Sequence, residues 1–162
     1  MAETKLAVRR AASAVAMLAT LVLGLSAGAM TAEGALLVPY WRALPPLEFL
    51  AWYRDNAARL FVFFAPLETG AALLAVLAVT FARLAQRPDK RMLLASAVLA
   101  AAVLAGFPLY FERVNAAFAA GTIDADRVAP ELARWAVRHW ARTAIGIAAF
   151  LCALLGTRKE DP

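Results

Sequence analysis

The sequence predicts an all-α membrane protein, folded as an antiparallel four-helix transmembrane bundle. Hydrophobic residues make up 63% of the 162-residue chain. They concentrate in long runs that a soluble domain of this length could not bury. The runs are rich in Ala and Leu, which favour helices, and they are too long for strands. The Lys and Arg residues flank these runs instead of forming one face, so the net charge of +5 does not indicate nucleic-acid binding.

Four runs approach the ~20 apolar residues that a helix needs to cross a bilayer. The predicted spans run from about Ala11 to Leu37, Ala58 to Phe81, Met92 to Phe111 and Ala141 to Leu155. No composition change divides residues 1–162, so we expect a single integral membrane domain.

The connections between the spans differ in length. The polar segment Arg83–Arg91 predicts a tight turn between spans two and three. The connection Val38–Ala57 contains Pro39, Pro45 and Pro46, which predict breaks, and Arg113–Trp140 is punctuated by Gly121 and Pro130. A charged pattern with three- and four-residue spacing predicts a short amphipathic helix before span four. Its residues are Arg127, Glu131, Arg134 and Arg138.

Positive charge sets the expected orientation. Basic residues are dense before span one, in the tight turn and after span four, which predicts cytoplasmic N- and C-termini. We expect the protein in a bacterial inner membrane, surrounded by lipid. The first span has a second interpretation, because its basic start and the small residues at Ala27–Gly28–Ala29 also fit a signal peptide.

Polar groups persist where spans three and four meet. Trp135, His139 and Arg142 follow one another at four and three residues, which places them on one helix face. Asn115 closes span three on the same side. A polar group at membrane depth is costly, so we take His139, Arg142 and Asn115 as candidate catalytic residues.

Three carboxylates complete the candidate site. Glu33 lies near the end of span one and Glu112 near the end of span three, whereas Glu68 lies about ten residues, or ~15 Å, inside span two. Pairing of Glu112 with Arg142, or of Glu68 with Arg59, would instead make these charges structural contacts between helices.

Aromatic residues cluster toward the same side of the predicted membrane. Tyr110, Trp135 and Trp140 are candidate substrate-binding residues, together with Glu33, Glu68 and Glu112. An interfacial aromatic belt and the wall of a cavity are both consistent with this placement.

The sequence carries no cofactor signature. There are no Glu-x-x-His pairs for a di-iron centre and no Gly-rich phosphate loop. We therefore predict no metal and no cofactor, although one His and two carboxylates leave room for a single transition metal.

One sequence pattern resembles a known family. The stretch Phe111–Asn115, followed by Trp135-x-x-x-His139-x-x-Arg142 entering the last span, resembles the DUF1772 family of four-span membrane proteins, which includes the anthrone oxygenases. The Gly-rich first span ending in Pro39 is similar to that family as well. The resemblance implies cofactor-independent oxidation of a polycyclic phenol.

We therefore expect a small membrane oxidoreductase acting on a hydrophobic aromatic or quinone-like compound at the outer leaflet. His139 would act as base, with Arg142 and Asn115 stabilising the resulting anion. Two alternatives are a non-enzymatic accessory subunit or small-molecule binder, and a proton-coupled carrier that titrates Glu68. The Ala-rich faces of spans three and four allow a homo-oligomer without demanding one.

Overall fold

A computed structural model of the protein describes residues 2–87 and 90–157, which are almost entirely helical. The all-α prediction is confirmed, since the described residues contain no strand. The elements are α1 (Ala2–Ala32), a π-helical turn (Glu33–Leu37), α2 (Val38–Ala43), α3 (Pro46–Leu84), α4 (Lys90–Gly106), a second π-helical turn (Phe107–Phe111), α5 (Glu112–Ala120) and α6 (Ala125–Leu155).

The elements join into four long helices within the described residues. Three of them are long and apolar enough to cross a membrane, as expected of a membrane protein: Glu3–Ala43, Pro46–Leu84 and Lys90–Ala120. The fourth long helix is α6, which carries several Arg residues in its first half.

The helices extend well beyond the predicted apolar spans. The prediction that Pro39 breaks the chain is wrong, because α2 follows the first π-helical turn directly and the helix continues through Pro39 to Ala43. The break comes at Leu44, whose backbone is extended, and Pro46 begins α3. Apolar sequence marks what lipid can cover and does not mark where a helix ends.

The second predicted connection is also mostly helical. α5 continues past Asn115 and ends at Gly121, whose φ of 65° is the left-handed conformation that glycine adopts freely. Pro130 lies inside α6, so the predicted amphipathic helix is the first part of one continuous helix. In the predicted tight turn, α3 ends at Leu84 and α4 begins at Lys90, while Pro88 and Asp89 lie outside the described residues.

The two ends of the bundle have different cores. Helix α1 packs against α3 and α6, and α4 packs against the same two helices. The alanine core lies toward the α3–α4 turn and contains mostly small residues: Ala16, Ala19, Ala71, Ala75, Ala78, Ala82, Ala97, Ala100, Ala149 and Ala153. The aromatic core lies toward the α2–α3 turn and includes Trp41, Phe49, Tyr53, Phe111, Phe118 and Trp135.

Candidate functional site

A cavity of about 800 Å³ lies between the helices and is lined mainly by apolar side chains. It brings together six of the nine residues that the sequence suggested: Glu33, Glu68, Glu112, Asn115, Trp135 and Arg142. His139, Trp140 and Tyr110 do not line it. The cavity is thus a largely hydrophobic space with a few polar groups, which is the usual composition of a small-molecule site.

A buried ion pair lies in the wall of this cavity. Arg142 Nη1 donates to Glu68 Oε2 at 3.3 Å, and the two residues are only 9% and 7% exposed. The guanidinium of Arg142 also lies 4.4 Å above the centre of the Phe111 ring. Helix α6 thereby contacts α3 and the second π-helical turn through one side chain.

The pair has unused hydrogen-bonding capacity. Glu68 Oε1 and Arg142 Nε are buried, and neither has a hydrogen-bond partner within the described part of the chain. The pairing differs from both contacts considered from the sequence, since Arg142 does not pair with Glu112 and Glu68 does not pair with Arg59. The ion pair therefore keeps one buried acceptor and one buried donor without partners, and leaving such groups unsatisfied is costly.

His139 is completely buried behind the cavity wall. Its Nε2–H donates to the carbonyl oxygen of Met30 at 2.8 Å, which leaves Nδ1 without a hydrogen. Nδ1 lies 3.7 Å from Glu33 Oε2, and the ring stacks on Trp135 with centroids 4.9 Å apart. His139 therefore reaches the cavity only through Glu33 and Trp135, which do line it.

Close packing of α1 and α6 brings His139 to Met30. At Gly34, in the first π-helical turn, a Cβ would lie 2.9 Å from the Trp140 ring. A larger residue at this position would require the Trp140 ring to move. Single π-helical turns frequently mark functional sites, and both such turns here contribute residues to the cavity wall.

Asn115 is held by the same group of contacts. Trp135 Nε1–H donates to Asn115 Oδ1 at 2.9 Å, so the Asn amide nitrogen keeps its two hydrogens for another acceptor. Asn115, Trp135 and His139 form a continuous chain of contacts from α5 to α6.

Tyr110 and Trp140 lie outside the cavity, near the surface of the bundle. The Tyr110 hydroxyl donates to Glu131 at 3.0 Å, and the Arg138 guanidinium lies 3.9 Å above the Tyr110 ring. Arg134 also hydrogen-bonds Glu131 and lowers the pKa of that carboxyl. Trp140 is 43% exposed and only its edge approaches His139. These positions are typical of an interfacial aromatic belt.

Several cavity residues were not among the candidates from the sequence. Tyr53 is 4% exposed and lines the cavity; it belongs to the aromatic residues that cluster toward one side of the predicted membrane, but it falls in a segment predicted as a connection. Phe61 and Phe107, whose ring centroids are 6.1 Å apart, also line it and look like ordinary lipid-facing residues in the sequence. Only knowledge of the helix pairing could have identified them.

The described residues contain no group of three His, Cys, Asp or Glu side chains placed to hold a metal ion. Comparison of the chain with protein families, curated proteins and solved structures finds no match. The resemblance to the DUF1772 family therefore stays a prediction.

Proposed function

We propose that this chain is a four-span antiparallel membrane protein that binds a hydrophobic aromatic or quinone-like molecule in the cavity and oxidises it. One observation carries the proposal: an apolar cavity of about 800 Å³ with the Glu68–Arg142 ion pair in its wall, a pair that keeps one acceptor and one donor atom without hydrogen-bond partners. A ring hydroxyl that reaches the pair after a small side-chain movement would donate to Glu68 Oε1 or accept from Arg142 Nε.

The proposal includes the membrane topology and the side from which the substrate arrives. The four helices cross a bacterial inner membrane with both termini in the cytoplasm, and the substrate arrives from the outer leaflet. The family resemblance supports oxidation by dioxygen without a cofactor.

The residues around the cavity permit the proton transfer that such an oxidation requires. The two carboxylates Glu33 and Glu68 face a single guanidinium, Arg142, and an unbalanced charge at this depth is costly. The substrate itself would supply the balancing proton: it would leave an acidic C–H or O–H and pass to the ionised Glu33 carboxylate. His139 Nδ1 lies 3.7 Å from Glu33 Oε2 and would act through Glu33.

The anion that remains on the substrate would be stabilised by two donors. Arg142 and Asn115 both line the cavity, and their N–H groups would donate to developing negative charge; electrostatic stabilisation of this kind is often the largest catalytic contribution. The resonance-stabilised anion would then form a C–O bond with dioxygen, which is the oxidant. The resulting ring peroxide would take back the proton from Glu33, and loss of water from this hydroperoxide would leave a quinone-type carbonyl.

A second candidate function is binding of the same kind of molecule without chemistry. The complete burial of His139 favours it, since the bond to Met30 and the stacking on Trp135 also explain this residue as a structural contact between α1 and α6. Turnover by the His139→Gln variant separates the two candidates. If the variant oxidises the substrate at the wild-type rate, His139 takes no part in the proton transfer. If oxidation is at least tenfold slower while binding is retained, the role of His139 in the proton transfer is supported.

Binding itself is tested with β-naphthol, a flat ring with one hydroxyl. We expect saturable binding to the protein in lipid nanodiscs, after subtraction of empty nanodiscs. The Glu68→Gln/Arg142→Gln double variant should bind at least tenfold more weakly. It removes both charges of the ion pair together, so neither member is left buried without the other. Arg138→Gln, an exposed change one turn away on α6, is the matched control. Equal binding by the double variant would contradict the proposal.

A further inference from the structure

The cavity is long. Its wall follows α3 from Ala57 to Val76, and follows α4, the second π-helical turn and α5 from Ala101 to Ala119. At 1.5 Å per residue, each of these walls is about 28 Å long. That length is close to the ~30 Å thickness of the bilayer's hydrocarbon layer. A compact ring system would occupy only part of it.

The cavity has two chemically different parts. On the side of the aromatic core, the wall contains Tyr53, Phe61, Phe107, Asn115 and Trp135, together with the charged residues of the site. On the other side of Glu68 lies a tail chamber lined by small and aliphatic residues: Ala72, Leu73, Val76, Ala101, Leu104 and Ala105.

The tail chamber extends about 12 Å along α3, from the level of Glu68 to that of Val76. Beyond Thr69 in this direction, no polar side chain of the described residues lines the wall. The chamber therefore suits hydrocarbon and offers no hydrogen bond to a second polar group.

The tail chamber opens sideways between α3 and α4. Leu73 is 60% exposed and Val76 is 51% exposed although both line the cavity. Ala101 and Ala105 on α4 are also exposed. In a membrane this opening faces lipid, so a ligand could enter the cavity from the bilayer without crossing water.

We propose that the ligand is an amphiphile, with a hydroxylated aromatic head and a linear hydrocarbon tail that lies in the tail chamber. The position of the head rests on the proposed function. The tail, and the entry of the ligand from the bilayer between α3 and α4, are new here. The head lies among aromatic side chains beside Glu68 and Arg142, and the tail passes between α3 and α4.

The test compares β-naphthol with its decyl-substituted homologue, both added to the protein in nanodiscs. Partition into lipid is removed by subtracting empty nanodiscs of the same composition. The tail preference is the ratio of the two affinities, and we expect the wild type to favour the decyl homologue at least tenfold. Ala101→Phe and Ala105→Phe, which fill the chamber from exposed positions, should each reduce this ratio to about one while β-naphthol still binds.

Ala102→Phe is the matched control, because Ala102 is exposed on the same helix and does not line the cavity. It should keep the wild-type tail preference. If both chamber variants keep the wild-type tail preference, or if the wild type has no tail preference, the hydrocarbon tail does not bind in the tail chamber. The proposed function would still stand. Failure of both probes to bind the wild type would overturn the proposed function and the tail chamber together.

Discussion

The same long helices pack through small side chains at one end of the bundle and through large aromatic side chains at the other. In the alanine core, helices approach closely because their contact faces carry Ala, as at Ala19, Ala75 and Ala149. In the aromatic core, Trp41 contacts four other rings, including Tyr53 and Trp135, and these large side chains fill the space between the helices. The cavity lies beside the aromatic core and extends toward the alanine core.

The comparison indicates that the two ends of the helices have different roles. Small residues at one end provide tight contact between apolar helices, for which lipid supplies little hydrophobic driving force. Rings at the other end enclose space and leave the ion pair partly unsatisfied. Substitutions at the two ends should test this difference, and the largest expected loss of stability comes first.

Removing one member of the buried ion pair should destabilise the protein most. Arg142→Met leaves the Glu68 carboxylate buried and unpaired, which typically costs about 3–5 kcal/mol. The free energy of unfolding, measured by titration with dodecyl sulfate in mixed micelles, should fall accordingly. The Glu68→Gln/Arg142→Gln double variant should lose much less. Equal losses in both would show that the charge pairing is unimportant.

Overpacking the alanine core should be the next largest effect. Ala75 is 2% exposed, and Ala75→Phe inserts a ring where helices touch, for an expected loss of about 1–3 kcal/mol in the same titration. Leu77→Phe, at a 46% exposed position of the same helix, should change little. A neutral Ala75→Phe would mean that the helices at this end are not closely packed.

In the aromatic core, loss of a single hydrogen bond should have a smaller effect. Trp135→Phe retains a ring to stack on His139 but removes the bond to Asn115, which should cost about 1 kcal/mol. Trp140→Phe, at a partly exposed position on the same helix, is the control. A loss no greater than that of the control would show that the Trp135–Asn115 bond does not stabilise the fold.

The smallest effect should come from Glu131 at the surface of α6. The hydrogen bond from Arg134 lowers the pKa of Glu131 in the folded protein. Its stabilising contribution is therefore present above the unfolded-state pKa and is lost as pH falls through the lower folded-state pKa. The difference in unfolding free energy between wild type and Glu131→Gln should be largest near neutral pH and vanish in acid. A difference that grows in acid would contradict this assignment.

The sequence predicted some of these features and missed others for physical reasons. Helical class follows from the long Ala- and Leu-rich runs, and the spacing of Trp135, His139 and Arg142 correctly indicated one buried face. The helix ends were misjudged because α1, α3 and α5 continue beyond their apolar segments. The partner of Arg142 depends on which helices are neighbours, and so does the burial of His139 behind Glu33; spacing along one helix cannot specify either.

Discrimination between β-naphthol and naphthalene tests the central claim most directly. The two compounds differ by one hydroxyl, which the Glu68–Arg142 pair recognises in this account. We predict that the wild-type protein in nanodiscs prefers β-naphthol at least tenfold, and that the Glu68→Gln/Arg142→Gln variant loses most of this preference. Equal affinity of the wild type for both compounds would contradict the account.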